Sequence, residues 1–421
     1  MLATMTRRIC AIAVLLLLGL PAGASASVRG DIARIVANSR FGGSGTGIIV
    51  YDQSGHRVLY ALHSREQLRP ASNMKLTTAA VALGDLGAGH HLATRVYSTG
   101  VLSGGKLTGS LWLVGDGDPS LSTGTFARRA YNGAGARIAD LAIAVRAAGI
   151  RHVTGRVYAD ETLFDKVRTG PYWKPSFWQD CPPISALSVN KSLISFFEPN
   201  SYSQPAQHAA EVLRASLKTH GVVVDHDPRM NQLPAGATLV ATEQSPRIAR
   251  LVLLMDRPSD NYFAEVLNKR VAVAAGKTGT MGNGRRETRR YLESIGVNLT
   301  GARLYDGSGL SAGDRLSPRQ ILAVLRRASL QSYAGAFRTS LPLAGVSGTL
   351  HDRMTSGPAY RNAQAKTGTL DDASNLSGYV RSANGHQLVF SIMVNGSRLN
   401  ITAAHALQDR IVQALAGSRP S

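Results

Sequence analysis

The stretch PASNMKLTTAAVAL, residues 70–83, sets a serine and a lysine three positions apart at the head of a run of small and apolar residues. Positions i and i+3 share one face of a helix, so the Lys75 amine can reach the Ser72 hydroxyl. A serine in the first helical turn also lies among unbonded backbone N–H groups, where the helix dipole favours developing negative charge. Thr77, Thr78, Ala79, Ala80 and Val81 follow and suit tight burial between other elements. Spacing alone does not define a site, because Ser188-Val-Asn-Lys191 repeats it. The surroundings have to decide between the two.

Upstream, residues 47–62 (GIIVYDQSGHRVLYAL) read as two strands about a DQSG turn, with β-branched and aromatic residues on either side. From 90 to about 243 the texture changes to short strands broken by Gly and Pro, as in GSLWLVGDGDPSLS and GRVYADETLFD. Helical periodicity returns at 246–255 and 260–273. Farther on, LSPRQILAVLRRAS reads as a helix, NLSGYVRSANGHQLVFSIMVNG as a hairpin, and AAHALQDRIVQALA as a last helix. The expected fold class is α+β. An antiparallel sheet flanked by helices, residues 27–89 and 245–421, is interrupted by a β-rich insertion, 90–244. The insertion is expected to fold as a module with its own core around Trp112, Val114, Val157 and Phe164, supplying none of the catalytic residues.

At 421 residues the chain has room for two or three domains of roughly 150 residues each. With 44% hydrophobic and 18% charged residues it has the balance of a globular protein, which excludes disordered, fibrous and multi-span membrane classes. Arg7 and Arg8 precede the apolar run 9–20, and Ala24-Ser25-Ala26 supplies a small-residue cleavage site. That run is shorter than the about 20 residues that span a bilayer. Residues 1–26 therefore read as a signal peptide, with the mature protein exported to the periplasm or cell-wall space; the arginine pair leaves general and twin-arginine export both open. Cys10 leaves with the signal, so Cys181 stands alone as an expected buried thiol and no intrachain disulfide supports the fold. Loss of Arg7 and Arg8, with no acidic residue, takes the formal charge from +20 to +18. A polyanionic envelope is the expected partner for that charge. No long Lys/Arg block or nucleic-acid motif accompanies it, so nucleic acid is not an expected partner and membrane contact is at most peripheral.

Two more motifs settle the question of Ser72. Ser259-Asp260-Asn261 lies 187 positions after it, and Lys366-Thr367-Gly368-Thr369 follows. Ser-x-x-Lys, Ser-Asp-Asn and Lys-Thr-Gly, in that order, are the set found in class A β-lactamases and penicillin-binding proteins. Ser-Asp-Asn opens a helix that Ser259 or Asp260 can cap. Lys366 to Thr369 precede the hairpin, which suits an edge strand, and Gly368 would let a substrate backbone approach. The rival Ser188 has no clear helix and no strand pair before it. Lys277-Thr278-Gly279 follows Ser259 too closely to leave room for intervening helices, and its likeness to a phosphate loop fails at Val271, where glycine is required. The eleven histidines show no ligand spacing, so no metal or other cofactor is expected.

With RPASNMK, PPISALSVNKS, RPSDNYFAEVLNK, DGSGLSAGDRLSP, LPLAGVSGTLHDRM and AKTGTLDDASNLSGYV spread over nearly all of its mature length, the chain resembles the low-molecular-mass class C penicillin-binding proteins. These are D-alanyl-D-alanine carboxypeptidases, often also endopeptidases on peptidoglycan cross-links, with a β-lactamase/transpeptidase-like domain. The Ser188 segment matches an element inside that family's insertion. The resemblance implies stem peptides ending in D-Ala-D-Ala as substrates and β-lactams as inhibitors. Ser72 would attack the carbonyl between the two D-alanines. Lys75 would be its base, its pKa brought from about 10.4 towards 7–8 by burial or by the charge of Lys366, which would also bind the terminal carboxylate. Ser259 would relay a proton to the leaving amine, and Asn261 would hold Lys75 and the substrate amide. The N–H groups of Ser72 and Thr369 would form the oxyanion hole, and the Thr367 and Thr369 hydroxyls would seat a carboxylate.

Two other functions share some of these features. A class A β-lactamase deacylates through a glutamate between the second and third motifs. Glu287 and Glu293 are the nearest, but the pattern E-x-x-x-N fails at both, with Tyr291 and Val297 in the asparagine position. An envelope-binding protein with a dead site finds no support, since every catalytic side chain is present.

Overall fold

The structure is a computed structural model that describes residues 27–195 and 200–420. The signal sequence expected at 1–26 lies outside the described residues.

Helix α1 (Val28–Ala37) starts at Ser27, whose hydroxyl accepts from Gly30 N. Strands β1 (Thr46–Asp52) and β2 (Arg57–Leu62) form the expected hairpin. A 3-10 turn over Ala71–Met74 runs into α2 (Lys75–Val81), which continues as a π-helical turn to Gly87. The insertion then builds β3 (His91–Ser103), β4 (Lys106–Val114), α3 (Gly124–Tyr131), α4 (Ile138–Ala147), β5 (His152–Val153) and β6 (Val157–Asp160). It ends with α5 (Pro205–Thr219), β7 (Val223–Val224), β8 (Arg229–Met230) and β9 (Thr238–Arg247). Helices α6 (Ile248–Asp256), α7 (Asn261–Ala274), α8 (Met281–Ser294), α9 (Pro318–Ala328) and α10 (Ala334–Ser340) follow. The chain closes with β10 (Gln364–Leu370), β11 (Ala373–Arg381), β12 (Gln387–Asn395) and α11 (Ile401–Gly417).

Strands from both ends of the chain make one antiparallel sheet in the order β10-β11-β12-β1-β2. Its faces follow the two-residue period of a strand. Ile48 and Val50 join α1 and α11 on one side, while Ile49 and Tyr51 join α2, α6, α7 and α9 on the other. This puts β10 at the open edge, as its motif requires. Helix α9 is anchored by a full capping box between Ser317 and Gln320.

The strands expected in the insertion form a second, seven-stranded sheet, but α3, α4 and α5 stand beside them. Their apolar sides fill its core. Of the four core residues expected, only Val157 sits at the centre, with Val96, Leu111, Leu113, Leu141 and Leu213. Trp112 alternates to the opposite face and stacks on Tyr158 with ring centroids 4.2 Å apart, and Val114 is half-buried. Phe164 leaves the module altogether and enters the core of the helices, with the Lys269 amine 5.7 Å from its ring. The insertion has a core of its own, as expected, and is keyed into the helices through Phe164.

Candidate active site

The 3-10 turn improves on the helix expected at Ser72. Side chains at i and i+3 eclipse in that geometry, so Lys75 lies directly over the serine. Lys75 Nζ donates to Ser72 Oγ at 2.9 Å, to Asn261 Oδ1 at 2.6 Å and to the Ser308 carbonyl at 3.0 Å. Two of these partners are carbonyl oxygens and can only accept. Asn261 is held in that orientation because its Nδ2 donates to the Asp180 carbonyl at 3.1 Å. In the uncharged amine both N–H bonds are thus committed, and the lone pair is left facing the Ser72 hydroxyl. That is the geometry for taking its proton.

The turn is wedged in place by backbone. Ala71 adopts a left-handed φ of 45°, a conformation that costs a non-glycine residue about 1 kcal/mol or more. Gly309 (φ 88°) lies so close that a Cβ on it would fall 1.8 Å from the Ala71 carbonyl. On the other side a Cβ on Gly368 would meet Pro70 O at 2.8 Å and the N atoms of Ser72 and Asn73 at 3.1 Å. The glycine of the third motif therefore makes room for the protein's own turn, where a substrate backbone was expected. Asn375 on β11 ties the same turn by donating to Pro70 O at 2.7 Å.

Asp260, rather than Ser259, caps α7: its Oδ1 accepts from Phe263 N at 3.0 Å. Ser259 sits before it with a left-handed φ of 65° and lines the cleft beside Ser72 and Asn261. Among the described residues no hydrogen bond joins the Ser259 hydroxyl to either lysine. Lys366 is fully buried in β10 and donates to the Thr367 carbonyl at 3.1 Å. Thr367 bonds Thr349 through their hydroxyls at 2.6 Å, and Thr369 faces the cleft.

Burial pulls Lys75 down to about 8, against Asp306, Asp260, Glu265 and Asp256, which favour its charged form. Burial also brings Lys366 down to about 7, helped by repulsion from Lys75 and opposed by Asp256. The expected depression of Lys75 is present, with desolvation as its main cause.

The cleft above these groups holds about 580 Å³. Sequence reasoning missed Phe177, Asp180, Thr349, Arg353 and His405 along its walls. A cavity of about 700 Å³ on the insertion, between α5 and β7, contains none of the motif residues. Also missed were the two carboxylates that shape the loop behind Lys75. Glu265 accepts from Gly307 and Ser308 N–H at 3.0 and 2.7 Å, and Asp306 accepts from Gly309 and Ser311 N–H, both at 2.7 Å. They aim the Ser308 carbonyl at the amine. The signal was the Asp-Gly-Ser-Gly run at 306–309, rich in turn residues, with Glu265 one helical turn after Asn261.

The duplicate motifs have structural partners. Ser188 Oγ bonds the Tyr262 hydroxyl, and Lys191 Nζ pairs with the second oxygen of Asp260 at 2.7 Å, so this stretch of the insertion clamps the start of α7. Ser188→Ala should lower stability by about 1–3 kcal/mol, read as a lower urea midpoint, because it strands the Tyr262 hydroxyl in the interior. An unchanged midpoint would remove that role. Lys277 pairs with Glu287, which also accepts from Arg290. Neither Glu287 nor Glu293 lines the cleft. Cys181 is buried, and burial pushes its thiol up.

An α+β scaffold that brings Ser-x-x-Lys, Ser-Asp-Asn and Lys-Thr-Gly to one cleft defines a serine-type peptidase of the penicillin-recognising class. The chain belongs to the D-Ala-D-Ala carboxypeptidase 3 (S13) family, whose family model matches residues 28–201 and 198–417, and it is a serine-type D-Ala-D-Ala carboxypeptidase. It is 30% identical to the D-alanyl-D-alanine carboxypeptidase of Actinomadura sp. (strain R39), over 92% of this chain and 84% of that one. The crystal structure of penicillin binding protein 4 from Haemophilus influenzae matches with a TM-score of 0.76 at 20% identity, covering 91% of this chain and 98% of its own; that protein is also known complexed with a β-lactam. A predatory peptidoglycan endopeptidase of Bdellovibrio bacteriovorus matches with a TM-score of 0.55 at 13% identity, covering 89% of this chain and 94% of its own.

Proposed function

We propose that the protein hydrolyses the bond between the two terminal D-alanines of peptidoglycan stem peptides through an acyl-enzyme on Ser72, that it also cleaves cross-linked peptides, and that penicillins acylate the same serine. The observation that carries this reading is the Lys75 amine, held by two carbonyl acceptors with its remaining position on Ser72 Oγ. Ser72 Oγ adds to the penultimate D-alanine carbonyl while its proton passes to Lys75. The proton reaches the leaving D-alanine nitrogen through the Ser259 hydroxyl, and water then releases the shortened peptide and restores Ser72. The N–H groups of Ser72 and Thr369 stabilise the oxyanion. Lys366, with Thr367 and Thr369, binds the terminal carboxylate. The N-terminal sequence supports export to the periplasm or cell-wall space, and the +20 formal charge suits a polyanionic envelope. No helix among the described residues is long and apolar enough to cross a membrane.

The test is intact mass after mixing with benzylpenicillin, with the adduct mapped to a peptide, alongside D-alanine release from a pentapeptide. A lasting adduct on Ser72 with D-alanine release supports the reading; rapid return to free mass favours β-lactamase, and no adduct and no release refutes both.

The two lysines also set a pH dependence. Catalysis needs one of them neutral and the other charged, so activity belongs to the form carrying a single proton between them. With the lysines near 8 and 7, acylation should rise as the first proton leaves near pH 7 and fall as the second leaves near pH 8. Below the bell Lys75 cannot accept a proton, and above it Lys366 cannot hold a carboxylate. Acylation rates that stay constant from about pH 6 to 9 would contradict this assignment.

A further inference from the structure

The acyl-transfer steps above use nothing from residues 170–173 of the insertion, yet this segment is strained and tied to the loop behind Lys75. Tyr172 adopts a left-handed φ of 58°, an unfavourable conformation for a bulky side chain that persists only where its surroundings impose it. Three hydrogen bonds around it cross to residues 306–312. Ser311 Oγ donates to the Pro171 carbonyl at 2.9 Å, Ala312 N to the Tyr172 carbonyl at 3.2 Å, and Trp173 Nε1 to Asp306 Oδ2 at 2.8 Å. The Tyr172 ring also meets Tyr305 edge-on, with centroids 4.9 Å apart.

The bond from Trp173 differs from the other two in what it holds. Asp306 is a buried carboxylate whose Oδ1 accepts from Gly309 N and whose Oδ2 accepts from Ser311 N. Within that short span the Ser308 carbonyl meets Lys75 Nζ at 3.0 Å. The indole N–H can only donate, so it pins the carboxylate that shapes the loop. Gly170 shows that the indole has one place to lie: a Cβ on it would fall 2.3 Å from the ring's Cε2 and Nε1. Gly170 is not in the left-handed region, so the space it leaves is what the ring requires. Farther along the same segment, the Asp180 carbonyl holds Asn261 at 3.1 Å. Both carbonyl acceptors of the Lys75 amine are thus held from residues 173–180 of the insertion.

We propose that Trp173 is a positioning residue through which the insertion directs the base: its indole N–H fixes Asp306, Asp306 fixes the loop, and the loop aims the Ser308 carbonyl at Lys75. This rests on the acyl-enzyme reading given above. Trp173 does not line the cleft, so it acts on the orientation of the amine and leaves the binding of a compact ligand alone. The insertion then supplies no catalytic side chain and still sets how fast the catalytic ones react.

The experiment is rapid-quench acylation of the full chain by benzylpenicillin, read by intact mass, with the limiting rate constant and the half-saturating concentration measured separately. Trp173→Phe keeps a ring and removes the N–H. It should lower the limiting rate constant by about tenfold or more and leave half-saturation within about twofold, because a slightly misdirected base slows the step without weakening the complex. A merely structural role lowers the melting temperature and the fraction of chains that label, while those that label do so at the wild-type rate. An unchanged rate constant, or a loss confined to half-saturation, overturns the proposal. The route through Asp306 is tested by a double-mutant cycle: in an Asp306→Asn chain, Trp173→Phe should cost less than about twofold more, and an undiminished loss there overturns the proposal. Gly170→Ala retains the indole but evicts it from its place, so it should reproduce the loss and add nothing to Trp173→Phe. It stands in for whichever of the other two variants fails to fold, and wild-type kinetics in a folded Gly170→Ala chain overturn the proposal as well. A wild-type chain that never gains the penicillin mass on Ser72 would sink the acyl-enzyme reading and this role with it. One that acylates, beside folded variants of unchanged rate, would sink only the role of Trp173.

Discussion

Ser72→Ala is expected to abolish covalent labelling by benzylpenicillin, and Ser188→Ala to leave it in place. Both serines have a lysine three positions on, so the contrast isolates what the fold adds to the spacing. Ser72 opens onto the cleft beside Thr369 and accepts from Lys75. Ser188 is buried, its hydroxyl is spent on Tyr262, and its lysine is spent on Asp260. Neither Ser188 nor Lys191 lines the cleft at Ser72. The measurement is intact mass after incubation with the antibiotic, with a thermal melt to show that each variant is folded. A folded Ser188→Ala chain without label, beside a labelled Ser72→Ala chain, would reverse the assignment.

Lys366→Ala should slow acylation by about 10³-fold or more, or about 4 kcal/mol of barrier, while Lys277→Ala changes it less than about tenfold. Both lysines begin a Lys-Thr-Gly triplet. The first is fully buried on the edge strand, and its removal takes away the cation proposed to meet the substrate carboxylate. The second is about half exposed on the link between α7 and α8 and bonds Glu287, which keeps Arg290 as a partner. Partly exposed pairs of this kind contribute little. Pre-steady-state acylation rates distinguish the two, and equal losses would show that the third motif had been misplaced.

What the sequence made legible was whatever shows in side-chain type and period. The β1–β2 hairpin, α7 with its acidic cap and the β11–β12 hairpin carry strong alternation or clear caps, and they stand close to where those signals put them. Helix α8 was not legible, because the side it buries includes Gly284, Glu287 and Thr288, so no apolar stripe marks it. The Ala-rich α5 was hidden among neighbouring Gly and Pro breaks. Around the site the missing information was of another kind. Lys75 is oriented by the carbonyl of Ser308, and Asn261 by that of Asp180. Every residue has a carbonyl, so no choice of side chain announces such a role. Which serine had the useful neighbours was decided by strand order and by glycines that let backbones touch.

The contact of Gly309 and Gly368 with the turn at Ala71 and Ser72 also bears on how the molecule reaches its working state. Gly368 lies 296 positions from Ser72, and β1 has its central place only once β12 has paired with it. Contacts of such long sequence separation close late, because the entropy of a very large loop is spent before they return anything. A chain with the insertion's sheet already formed but its two termini still apart would hold every catalytic residue and no oxyanion pocket. The proposed reactivity towards penicillin is therefore expected only at the end of folding, and a fluorescent penicillin added during refolding should label the chain with the kinetics of its slowest step.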